Sequence, residues 1–174
     1  MRARILALPL LLLAAVAVTP LPAVAGPIRP MPPAPARVAA LWTSPVPGPR
    51  VTRPFESLPN PYTAGHRGVD LAGSPSTPVL AAGDGVVVFA GMVAGRPVVS
   101  IDHAGGLRTT YEPVDPSVAA GVRVTRGSPI GRLTAGHSGC PVSACLHWGL
   151  RRGETYLDPM ALLRPPRVRL LPWR

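Results

Sequence analysis

Two short stretches carry residues that could do chemistry together. In Gly65-His66-Arg67-Gly68-Val69-Asp70 an imidazole and a carboxylate stand four residues apart. An even spacing puts both side chains on one side of a strand, while Gly65, Gly68, the β-branched Val69 and the Pro-rich run before them argue against a helix. Far downstream, Cys145-Leu146-His147 sets a thiol and an imidazole facing the same way on a strand, with Leu146 turned to the core. Alone, His-x-x-x-Asp is a short pattern that a turn histidine and a capping Asp would also match. Joined to His147 it becomes a His₂Asp set of metal ligands. Zinc accepts imidazole nitrogen and carboxylate oxygen, and three protein ligands leave a fourth position for water, the arrangement of catalytic and not of structural sites. One zinc ion so held polarises a carbonyl and brings a bound water's pKa down toward ~7, which is hydrolytic chemistry at neutral pH.

The elements that must bring His66, Asp70 and His147 together read as strands. Residues 51–55 form an entry strand that Pro54 holds to a sheet edge. Short apolar runs follow at 79–82, 86–90, 97–101, 107–111, 121–124, 130–133 and 145–150, separated by turns such as Gly83-Asp84-Gly85 and 102–106. Four- to six-residue runs at short, regular spacing with almost no helical periodicity predict an antiparallel all-β domain. Only residues 158–163 look helical, and briefly. His103 falls in a turn and reads as structural.

The first 25 residues read as a secretory signal peptide: Arg2 and Arg4, an apolar run at 5–18, then Ala23-Val24-Ala25. The run is short of the ~20 residues a spanning helix needs and is flanked by Pro, so no stable transmembrane span is expected. Residues 26–50 form a Pro-rich spacer whose apolar stretch 38–42 is placed to dock on the domain, with the boundary between Val38 and Arg50; 51–163 form the folded domain and 164–174 a flexible basic tail, with eleven Pro between Gly26 and Pro61. Length allows one domain with a real core. All 18 basic residues are Arg, and without Arg2 and Arg4 there remain 16 against 8 acidic residues. This positive balance suits an anionic partner such as a cell wall. Scattered Arg, few aromatics and export exclude nucleic acid as a partner. In an exported chain, Cys140 and Cys145 read first as a disulfide. Cys145 as a fourth zinc ligand, or as a free nucleophile, are the other readings.

His66-x-x-x-Asp70, the Ile101-Asp102-His103 turn with Gly106, the run 107–111, the run 124–131 and Cys145-Leu146-His147-Trp148 together resemble the lysostaphin/LytM-type zinc endopeptidases, over residues 51–163. The resemblance implies a secreted or wall-facing β-sheet hydrolase of bacterial peptidoglycan peptides, with His66, Asp70 and His147 as zinc ligands. It also implies two departures. The first His of the family's late His-x-His is Cys145 here, and the His of its Tyr-x-His-Leu run is Pro113, in Tyr111-Glu112-Pro113-Val114. Both are catalytic positions, and losing positioned acid–base help costs ~10²–10⁴-fold in rate. Candidate substitutes are Glu112, which alternation turns away from the direction of Pro113, and His137, in the loop before Cys140. The expected activity is a metallopeptidase acting on wall peptides. The alternative is an inactive zinc domain, a pseudoenzyme that binds wall peptides or controls another wall hydrolase.

Overall fold

The computed structural model describes residues 41–60 and 63–164. The signal peptide at 1–25, the spacer up to residue 40 and the tail from 165 lie outside the described residues. Within them the chain forms β1 (Val51–Arg53), β2 (Gly68–Gly73), β3 (Pro78–Leu80), β4 (Gly85–Val93), β5 (Arg96–Asp102), β6 (Leu107–Glu112), β7 (Val114–Pro116), β8 (Arg123–Val124), β9 (Pro129–Leu133), β10 (Ala144–Arg152) and β11 (Thr155–Leu157). The helical content described is 3₁₀, at Ala104–Gly106 and at Pro159–Leu163, where the Asp158 carboxylate caps the turn by accepting from Met160 N. The fold is all-β and antiparallel, as the strand pattern predicts.

The larger sheet runs β1-β2-β10-β6-β5-β4-β8, with β11 also pairing β10, and a smaller sheet runs β3-β9-β7. Alternation along the central strands sorts the larger sheet into two faces. Val69, Leu71, Leu146, Trp148, Tyr111, Val99 and Ile101 turn inward and are fully or almost fully buried. They join Val79, Val114, Ile130 and Leu133 of the smaller sheet in one core. Each large apolar side chain so buried is worth about 1.5–3 kcal/mol. A one-residue slip of β10 would therefore expose Leu146 and Trp148 and bury His147, so the core sets the register. That register pairs His147 with Asp70 on one side and with Glu112 on the other. Asp70, His147 and Glu112 thus stand in a row on the face away from the core.

Packing begins before Val51. Val46 is buried in the core and Trp42 packs against it. Thr43 N donates to Ala82 O at 2.8 Å and Leu80 N to Pro45 O at 2.9 Å. Residues 42–46, assigned by composition to the spacer, are part of the packed unit. The ring of Trp42 meets His103 edge-to-face at 4.9 Å. His103 is buried, with Nδ1–H donating to Asp84 O at 2.8 Å and Nε2 lying 2.6 Å from Thr109 Oγ1. Thr109 Oγ1 is in turn 2.9 Å from the Tyr111 hydroxyl, which accepts from Ala82 N. Burial pushes the Tyr111 phenol up to about 12.

Candidate metal centre

His66 lies two residues before β2 and is held from behind. Its Nδ1–H donates to Pro54 O at 2.6 Å, and its own carbonyl accepts from Glu56 N at 3.0 Å. Proton placement on Nδ1 leaves the lone pair on Nε2, the second partner a metal-binding imidazole requires. That Nε2 stands 2.9 Å from Asp70 Oδ1 and 3.1 Å from His147 Nδ1, and His147 Nδ1 stands 2.9 Å from Asp70 Oδ1. A carboxylate oxygen at that distance is met either by a proton on Nε2 or by a metal cation that takes its place. Tetrahedral zinc with bonds of about 2.0–2.1 Å needs donor atoms about 3.3–3.4 Å apart, close to the spacing of these three. His66, Asp70 and His147 form a metal-competent trio among the described residues. Donor type, tautomer and spacing all fit the ion.

Burial would raise the Asp70 carboxyl. With no metal bound, hydrogen bonds from protonated His147 and His137, with the nearby charge of His137 and His66 when their rings are protonated, overcome it and hold the group at about 2. Gly68 keeps the room in which His147 stands. A β-carbon there would lie 2.6 Å from Trp148 O and 2.7 Å from His147 Nε2.

His137 comes to the same place from the loop between β9 and β10. Its Nε2 is 3.0 Å from Asp70 Oδ2, the carboxylate oxygen turned away from His66, and its ring stacks on His147 with centroids 5.9 Å apart. Nothing in sequence spacing tied His137 to Asp70; the signal was its distance before His147, which by resemblance places it in the family's loop near the active site.

Cys140 and Cys145 form a disulfide. Cys145 is therefore neither a thiolate zinc ligand nor a free nucleophile, and both readings are corrected by the bond. Glu112 also differs from expectation. It pairs in register with His147 and so shares its face, but its carboxylate is held by Arg96 at 2.6 Å. Pro113 lies beyond the end of β6, so strand alternation does not govern it; it is buried, and its carbonyl accepts from Thr134 N at 3.1 Å. Arg96 and the Pro54 carbonyl escaped the sequence reading, since neither a surface Arg nor a backbone oxygen carries a motif. A groove of about 490 Å³ flanks the His66 segment, lined by Phe55, Glu56, Leu58, Arg67, Tyr156 and Asp158 among others.

Residues 64–159 match the family described as Peptidase family M23. The uncharacterized protein Rv2891 of Mycobacterium tuberculosis is 52% identical over 130 residues, covering 72% of this chain and 52% of that protein. The chain thus spans about half the length of the curated relatives it matches first. The DD-carboxypeptidase/endopeptidase Mpg of Neisseria meningitidis is 33% identical over 101 residues, covering 58% of this chain and 23% of that one. Among solved structures, Helicobacter pylori Csd3 superposes with a TM-score of 0.60 at 29% identity, covering 76% of this chain and 35% of that one.

Proposed function

Because the chain belongs to peptidase family M23, we propose that it is an exported zinc metalloendopeptidase acting on the peptides of bacterial peptidoglycan. The observation that carries this reading is the convergence of His66 Nε2, Asp70 Oδ1 and His147 Nδ1 within 3.1 Å of one another. Family membership supports zinc as the ion, and the likeness to a DD-carboxypeptidase/endopeptidase supports a wall peptide as substrate. Zinc at this trio supplies Lewis-acid polarisation of the scissile carbonyl and an acidified water.

The chain's own residues do the rest. His66, fixed by Pro54 O, presents Nε2. Asp70 presents Oδ1 while His137 holds Oδ2. His147 presents Nδ1 from the strand whose inward neighbours, Leu146 and Trp148, lock it in place. The groove beside Arg67 receives the peptide flanking the cut bond. His137 is the imidazole that stands at the site where Pro113 and Cys145 supply none.

A second reading is favoured by those same two positions. With Pro113 buried, Cys145 in a disulfide and Glu112 occupied by Arg96, the domain would hold zinc and bind wall peptides, or control a separate wall hydrolase, without cutting. Digestion of purified peptidoglycan, with products identified by mass spectrometry, separates the two. The first reading expects peptide fragments that vanish with chelator, return with zinc and are absent for His147→Ala. No fragments from the zinc-loaded chain, with cutting gained by Pro113→His plus Cys145→His, would establish the second.

A further inference from the structure

We propose that the Cys140–Cys145 disulfide is a positioning device of the metal centre, acting through His137; this rests on the zinc site described above. Cys145 lies on β10 two residues before His147, so both side chains leave the same face of the strand, and Cys145 is fully buried. It is a fixed point. Cys140 closes a turn that begins at His137, its N–H donating to His137 O at 3.3 Å. The bond between the two sulfurs therefore ties the His137 turn to the strand that carries His147.

This turn needs a tie. Gly136 and Gly139 bracket His137 with φ of 104° and 79°, a left-handed backbone that glycine adopts at the largest cost in chain entropy. Among the described residues, the covalent and hydrogen-bonded links from 135–142 to the sheet are the disulfide and the His137–Asp70 contact. One reinforces the other. With the sulfurs joined, His137 is delivered to Asp70 Oδ2 at little further entropy cost. With them apart, the single hydrogen bond must order the whole turn against the chain entropy of its residues. The His137 bond in turn orients the Asp70 carboxylate, so that Oδ1 faces His66 and His147. Cys145 Sγ also lies 3.5 Å from Thr52 Oγ1, which donates to the Asp70 backbone carbonyl at 3.1 Å; the route to the metal runs through His137 to the Asp70 carboxylate, and the triple substitution separates the two.

Zinc affinity of the full chain, read by competition with a chromophoric chelator, tests this in four forms. These are wild type, His137→Ala, Cys140→Ser with Cys145→Ser, and the triple substitution. Loss of a group that orients a metal ligand weakens metal binding by ~10–100-fold. That loss is expected for His137→Ala and for the disulfide-free form, with the triple no weaker than the weaker of the two, since both remove one interaction. Wild-type affinity without the disulfide, or losses that multiply in the triple, would overturn the proposal. Should the disulfide-free form not fold, inserting Gly-Gly between Gly139 and Cys140 keeps both sulfurs and uncouples them from His137. The same ~10–100-fold loss is then expected, and unchanged affinity overturns the proposal. Zinc bound with coupled losses but no peptidoglycan cleavage defeats the functional reading alone. Cleavage with multiplicative losses defeats this proposal alone.

Discussion

At the scale of single residues, His147 depends on a neighbour with no side chain. Gly68→Ala would press a methyl group onto Trp148 O and His147 Nε2. Overpacking of this kind costs about 1–3 kcal/mol, and the ring is the movable partner. Gly68→Ala should lower the free energy of unfolding by that amount and weaken zinc binding at least ~10-fold; unchanged zinc affinity would show that His147 does not need the space. His103 makes a second prediction. Desolvation lowers its pKa below the usual 6.5, against the opposing pull of the Asp84 carbonyl and the Asp102 and Asp84 charges. The folded state then binds fewer protons than the unfolded one below that pH. Stability from His103 is fully present above pH 6.5 and is lost as pH falls from there through the depressed value. Unfolding of wild type and His103→Gln between pH 7.5 and 5 should show the steeper loss in wild type, and parallel curves would contradict it. Of the residues proposed as metal ligands, Asp70 and His147 sit on strands as the alternation predicts, while His66 precedes β2 and was legible from its residue type and the His-x-x-x-Asp resemblance. His137 was named as a substitute by its place in the loop, but its contact with Asp70 was not legible, since a loop has no period to read. Glu112 was misdirected because alternation was extended past the end of β6 to Pro113.

At the scale of elements, β10 unites the molecule. It pairs β2, β6 and β11, and its register brings Asp70 and Glu112 to either side of His147. Its run of apolar residues was plain in the sequence. So were most of the other strands, through apolar runs cut by Gly turns. β7 and β11 went unread because Val114-Asp115-Pro116 and Thr155-Tyr156-Leu157 carry no apolar run, unlike the equally short β1, which opens the entry strand read at 51–55, and β3, which lies in the run at 79–82. Docking of Trp42 was legible from the apolar stretch 38–42, while the packing of Val46 was masked by Pro45, Pro47 and Pro49, whose composition says spacer. A chain begun at Val51 loses Val46, the Trp42 ring and the Thr43 and Leu80 hydrogen bonds. It should be less stable than one begun at Leu41 by at least ~3 kcal/mol, from one large and one medium side chain removed. Equal denaturation midpoints would return residues 41–50 to the spacer.

At the scale of the whole molecule, the family is shown by the match over 64–159, while the proposed activity rests on the metal-competent trio of His66, Asp70 and His147. No helix among the described residues is long and apolar enough to cross a membrane. Sixteen Arg against eight acidic residues beyond position 25 favour an anionic surface such as the wall. Binding to insoluble wall material should weaken as salt is raised from about 0.05 to 0.5 M, a range over which the Debye length falls severalfold; sedimentation with purified wall measures it, and salt-independent binding would discount the Arg excess. The most direct measurement of the central claim counts new α-amino groups released from purified peptidoglycan by the zinc-loaded chain. The account predicts a steady release that chelator stops, zinc restores and His147→Ala lacks. Release that survives both chelator and His147→Ala would contradict it.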